Sequence, residues 1–144
     1  MSADDLFFWS TRLALVGWMT LIVLPRWRWS AGLIAAAVIP LLLAALYAFL
    51  VVKYLVGAGG GFGSLEQIAA LFQNPYVMLA GWIHYLAFDL FIGSWEVRDS
   101  RSLGIPHLAI IPCLLLTLMF GPAGLLAYLV MRGALKRRWS LEGA

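Results

Sequence analysis

Four long apolar runs are separated by short polar breaks along this chain. Each approaches the roughly 20 residues that a helix needs to cross a bilayer. The first covers residues 6–24 and is stopped by Pro25, after which Arg26, Trp27, Arg28 and Trp29 supply basic and aromatic interface anchors. The second covers residues 31–52, ends at Lys53 and Tyr54, and carries Pro40 as an expected kink. Asn74 and Pro75 open the third, over residues 75–95, as N-cap and first-turn proline. The fourth covers residues 105–131, with Gly121-Pro122 bending or breaking it. Because the runs are continuous and do not alternate, they read as helices and not as barrel strands. The expected fold is an all-α integral membrane protein: one domain over residues 1–144, with four transmembrane helices in a compact bundle.

The polar stretch between the second and third runs holds Gly57, Gly59, Gly60, Gly61 and Gly63. No Gly-Lys-Ser/Thr follows, so this is a connector and not a phosphate loop. Ser64 and Gln67 have capping-box spacing. They open a short amphipathic helix whose Leu65, Ile68, Leu71 and Phe72 suit the membrane surface.

Composition agrees with the bilayer reading. Of 144 residues, 63% are hydrophobic and 12% charged, against about 25% charged in a soluble domain. Asp4 and Asp5 occupy the place of a positive signal-peptide n-region, and no Arg-rich transit peptide is present. A bacterial inner membrane is the expected location. Cys113 is the only cysteine, which leaves no internal disulfide and no cysteine-based metal site. The net charge of +3 comes mainly from Arg132, Lys136, Arg137 and Arg138, a cluster expected to meet anionic lipid and not nucleic acid. Four crossings would put both termini and the Gly-rich loop on one side. Arg12, Lys53, Arg132, Lys136, Arg137 and Arg138 there outnumber Arg26, Arg28, Arg98 and Arg101 opposite, which favours cytoplasmic termini.

Charge inside the third run changes the picture most. His84 and Asp89 lie in its apolar body, and Glu96, Arg98 and Asp99 at its end. Ionisable groups in hydrocarbon cost roughly 2.5–3.5 kcal/mol each on insertion scales, so they need a partner or a function. With Tyr85 at zero and about 100° per residue, Asp89 falls near 40°, Glu96 near 20° and Asp99 near −40°. If the helix persists to Asp99, one stripe carries all three carboxylates and faces the bundle interior. His84, near mid-membrane, points about 100° away, towards Phe88, Phe91 and Trp95. His107 starts the fourth run from the membrane side of Glu96 and is placed to approach Asp89 or Glu96.

Structural readings compete with each of these. Glu96, Arg98, Asp99 and Arg101 also fit a solvated loop, Asp89 a buried ion pair, and Arg12 a snorkelling side chain. The candidate catalytic residues are His84, Asp89, Glu96, Asp99 and His107; Trp82, Tyr85, Phe88 and Trp95 are the candidate substrate contacts. A cavity is expected to open towards Arg26, Arg28, Arg98 and Arg101, where the stripe and His107 converge. Two histidines and nearby carboxylates contain the donor types of an iron facial triad, though without diagnostic spacing. A carboxylic acid in low dielectric is a more direct proton donor to an epoxide or alkene.

Phe72-Gln73-Asn74-Pro75-Tyr76, Trp82-Ile83-His84-Tyr85, Phe88-Asp89 through Gly93, Trp95 and Arg98-Asp99 form a distinctive series. With Gly104-Ile105-Pro106-His107, Ile111-Pro112-Cys113 and Phe120-Gly121-Pro122, the series resembles the abscisic-acid-deficient-four-like family. The first two runs match that family mainly in hydropathy. Its plant members are plastid membrane proteins needed to form neoxanthin from violaxanthin, an isomerisation in which an epoxide opens as an allene forms. The resemblance therefore implies a carotenoid substrate. In a bacterial setting this becomes a simpler carotenoid such as β-carotene. Oxidative cleavage to an apocarotenal such as retinal, a reaction that would need iron or another redox metal, stands slightly ahead of end-ring isomerisation. The rival of a different class is a non-catalytic carotenoid-binding or assembly protein.

Overall fold

The computed structural model describes residues 1–24 and 30–137, and all regular structure among them is helical. Helix α1 (Ala3–Val23) begins with a reciprocal cap: Ser2 Oγ accepts from the Asp5 amide at 3.1 Å, and Asp5 Oδ2 accepts from the Ser2 amide at 2.9 Å. The second run starts as a π-helical stretch, Ser30–Val38, and becomes α2 (Ile39–Tyr54) at Pro40. The expected kink is thus a change of hydrogen-bond register, placed where proline lacks an N–H and crowds the preceding turn. The short surface helix is α3 (Leu65–Leu71). Ser64 Oγ caps the Gln67 amide, while Gln67 Oε1 reaches one residue further back than a capping box requires, to the Gly63 amide.

Helix α4 (Pro75–Ser102) is the axis of the molecule. Asn74 Oδ1 caps the Tyr76 amide at 2.9 Å and Pro75 occupies the first turn, as the sequence predicts. The helix runs past residue 95 to Ser102 because Glu96, Val97, Asp99 and Ser100 are buried against later helices. Around it pack α1 and α2, whose core residues Trp18, Leu21, Ile39 and Leu43 share one core with Ile83, Leu90 and Val97 of α4. Gly93 sits under the Trp18 indole, where a β-carbon would overlap the ring. This small residue lets α1 approach α4 closely, as small residues do in membrane helix pairs.

The fourth run is not one helix. It forms α5 (His107–Phe120) and α6 (Pro122–Lys136), joined by Gly121 alone, at φ 44° and ψ −99°. Asp89 fixes the depth of this corner, because a β-carbon on Gly121 would lie 2.8 Å from Asp89 Oδ1. Tyr128 and Arg132 of α6 both bond Asp99. Asp89 to Asp99 and Gly121 to Arg132 are both displacements of about 15 Å along a helix. So α5 descends antiparallel to α4, and α6 climbs back beside it to the Ser102 end.

Three helical segments, Ala3–Val23, Ala31–Tyr54 and Pro75–Ser102, are long and apolar enough to cross a membrane. The chain is therefore a helical membrane protein, but the expected fourth crossing at 105–131 is replaced by a helical hairpin. Gly121-Pro122 reverses the chain where the sequence reading allowed a bend or a break. Lys136 and Arg137 consequently stand at the end of Arg98 and Arg101, not at that of Lys53. Arg26, Trp27, Arg28, Trp29 and Arg138 lie outside the described residues.

Candidate functional site

The persistence of α4 to Ser102 aligns Tyr85, Asp89, Glu96 and Asp99 on its interior face, as the helical spacing predicts. The hairpin supplies what they face. Asp99 Oδ2 accepts from the Tyr128 hydroxyl at 2.5 Å and from Arg132 Nε at 2.8 Å; Arg132 Nη2 lies 3.4 Å from Oδ1. Arg132 is 1% exposed, so this is a sealed ion pair. Arg132 therefore leaves the lipid-facing basic cluster in which the sequence reading placed it. Trp95 packs edge-on against the Tyr128 ring at 5.4 Å, bracing the pair.

One turn deeper, Thr117 Oγ1 donates to Glu96 Oε1 at 2.9 Å. Glu96 Oε2 has no hydrogen-bond partner although the residue is 0% exposed. Asp89, 8% exposed at the hairpin corner, likewise leaves Oδ2 without a partner. Buried polar atoms are almost always bonded, and an orphan of this kind calls for an explanation beyond packing. Asp99 has both oxygens partnered, whereas Asp89 and Glu96 each keep one oxygen without a partner.

Tyr85 connects this interior to a cavity. Its hydroxyl donates to the Leu118 carbonyl at 2.9 Å, satisfying one of the acceptors left open by the last turn of α5. Its ring lines a space of about 490 Å³ with Phe7, Phe72, Met78 and Trp82, whose mouth carries Asp4 and Gln73. A second space of about 190 Å³ shares Trp82 and Tyr85 and continues to Trp18, Leu118 and Met119. Together they form an aromatic groove between α1, α4 and α5. Trp82 is held there by its Nε1 donating to Thr11 Oγ1 at 3.0 Å and by ring contacts with Phe7 at 5.5 Å and Tyr85 at 5.3 Å. Asp89 lies one turn, about 6 Å, beyond Tyr85 along α4.

The structure separates several residues that the sequence reading brought together. His84 faces away from the stripe, as its helical offset predicts, stacked on Phe88 at 4.6 Å and against Tyr47 at 5.6 Å, and so does not join the carboxylates. It lines a space of about 160 Å³ between α2, α3 and α4. Phe88 lines an apolar groove of about 320 Å³ between α2 and α4 and not the Tyr85 groove. His107 does not approach a carboxylate: its Nε2 lies 3.0 Å from the Ile22 carbonyl at the end of α1. Trp95 lines neither groove. Among the described residues, no three His, Cys, Asp or Glu side chains gather to hold a metal ion. The residues proposed for an iron site therefore do not fit one.

Of the side where the cavity mouth was expected, Arg26 and Arg28 lie outside the described residues, and the groove does not lie at Arg98 and Arg101. The groove opens beside Asp4 and Gln73 at the Pro75 end, whereas at the Arg98 end Asp99 is closed by Arg132. Phe7, Thr11, Phe72, Thr117, Tyr128 and Arg132 were missed as site residues. Arg132 carried the one available signal, a charge within an otherwise apolar helical run.

Three membrane-length helices, a buried polar stripe and an aromatic groove beside it define a helical membrane protein with an apolar groove next to buried carboxyls. The chain belongs to the ABA4-like family (ABA DEFICIENT 4-like), whose sequence model matches residues 5–128. That family is associated with carotenoid modification and neoxanthin-related function. No curated protein matches the chain, and no solved structure matches it.

Proposed function

We propose that this chain is a membrane-embedded carotenoid isomerase working by proton transfer at an end ring. The observation that carries this reading is the aromatic groove ending at Tyr85, one turn from the buried Asp89 carboxyl, whose Oδ2 has no hydrogen-bond partner. Trp82, Tyr85 and Phe7 offer flat apolar surfaces to a polyene, with the buried Trp18 packed behind them.

Asp89 in its acid form then protonates an epoxide oxygen or ring double bond. The C–O bond opens or the double bond shifts, and the cation loses a proton from a neighbouring carbon to the Asp89 carboxylate. Atoms and electrons balance, and the product has the mass of the substrate. A simple carotenoid such as β-carotene in a bacterial inner membrane is the proposed setting. Oxidative cleavage to retinal, the chemistry ranked ahead from the sequence, needs an oxygen-activating metal. His84, His107, Asp89 and Glu96 do not converge to hold one, so no step is assigned through a metal.

Pigments from carotenoid-producing cells with and without the chain test this directly. A new pigment of unchanged mass, lost with Asp89→Asn, is expected. Aldehyde fragments would establish cleavage instead, and covalently unchanged pigment that co-purifies with the chain would establish a binding protein.

A further inference from the structure

The hairpin changes which charges share an end of the molecule. At the Ser102 end, Arg98, Arg101, Lys136 and Arg137 are all exposed, and no exposed Asp or Glu accompanies them among the described residues. Asp99 and Arg132 there neutralise one another in the interior. At the Pro75 end the exposed acids Asp4, Asp5 and Glu66 stand against Lys53 and Arg12, whose guanidinium lies over the Phe8 ring, so no basic cluster like that at the Ser102 end forms there. The ends are identified independently. Ala3 and Asp4 line the same cavity as Pro75, and Tyr54 stacks on Tyr76 at 4.1 Å. His107, just beyond Ser102, meets Ile22 at the far end of α1.

We infer that the Ser102 end is a docking face for the anionic phospholipid headgroups of the cytoplasmic leaflet. From that face α5 and α6 enter the bilayer as a re-entrant hairpin, turn at Gly121 and leave again on the same side. The Pro75 end, with the N-terminus, the Gly-rich connector and the groove mouth, faces the opposite side. Two physical arguments agree. Lysine and arginine near the ends of spans are retained on the cytoplasmic side. A clustered basic surface is attracted to anionic lipid headgroups within a Debye length. Irregular backbone at membrane depth, as at Gly121, is tolerated when protein encloses it, and Gly121 is buried beside Asp89. Four crossings would have placed Lys136 with Lys53; three crossings and a hairpin place it opposite. This inference is independent of the chemistry proposed above.

Single cysteines at exposed positions test the arrangement in the full-length chain, after Cys113→Ala removes the native thiol. Glu66→Cys should react with a membrane-impermeant maleimide from outside intact cells. Arg101→Cys and Lys136→Cys should react only after the membrane is opened. Labelling of positions 66 and 136 from the same side would overturn the hairpin, and outside labelling of position 101 would overturn the orientation. A second arm reads the lipid. The detergent-purified chain, reconstituted with equal phosphatidylglycerol and phosphatidylcholine, should retain phosphatidylglycerol preferentially. Replacing Arg98, Arg101, Lys136 and Arg137 by glutamine should reduce that preference by about fivefold per charge. Equal retention of both lipids by the unmodified chain would overturn the docking face.

Discussion

Replacing Arg132 by glutamine leaves the Asp99 carboxylate in the interior with its ionic partner gone. Asp99 is 2% and Arg132 1% exposed, so water cannot take over the lost contact. The ion pair at 2.8 Å and the second contact at 3.4 Å vanish together, while the Tyr128 hydroxyl remains bonded. Breaking one side of a buried pair costs about 3–5 kcal/mol. That is roughly two to three and a half powers of ten in the folding equilibrium. The expected loss is read by reversible SDS unfolding in mixed micelles, with helical circular dichroism as the signal. Asp99→Asn added to Arg132→Gln supplies a neutral amide pair and keeps an acceptor for Tyr128. The double variant should recover more than half of the lost stability, because no charge is then stranded. A loss below about 1 kcal/mol in Arg132→Gln, the size typical of an exposed pair, would refute the sealed interface and with it the return path of α6.

Three further outcomes follow from the geometry. Asp89→Asn preserves side-chain volume and should fold normally while losing carotenoid conversion by at least about a hundredfold, the usual range for removing an acid catalyst; full conversion by a folded variant would make Asp89 structural. Gly121→Ala places a β-carbon against Asp89 at a backbone angle suited to glycine, and should cost about 1–3 kcal/mol in the same unfolding assay. Trp82→Ala removes a groove wall and its bond to Thr11; product-formation kinetics should show KM rising about tenfold, near 1.4 kcal/mol, with a smaller change in kcat.

Local information in the sequence determined the three crossing segments, their caps and the carboxylate stripe. Hydropathy over some 20 residues sets whether a segment partitions into a bilayer, and helical periodicity sets which residues share a face. Asn74-Pro75, the Ser64 cap and the alignment of Asp89, Glu96 and Asp99 all rest on contacts within a few turns of one helix. The return of α6 is decided differently. It depends on two backbone angles at Gly121 and on bonds from Asp99 to Tyr128 and Arg132, 29 and 33 residues away. A proline after a glycine marks a break without giving the direction of the chain beyond it. Hydropathy is equally satisfied by one long crossing or by two short legs. Only tertiary packing separates Asp99, which is neutralised, from Asp89 and Glu96, each left with one unpartnered oxygen, and sets the groove mouth at the end away from Arg98 and Arg101.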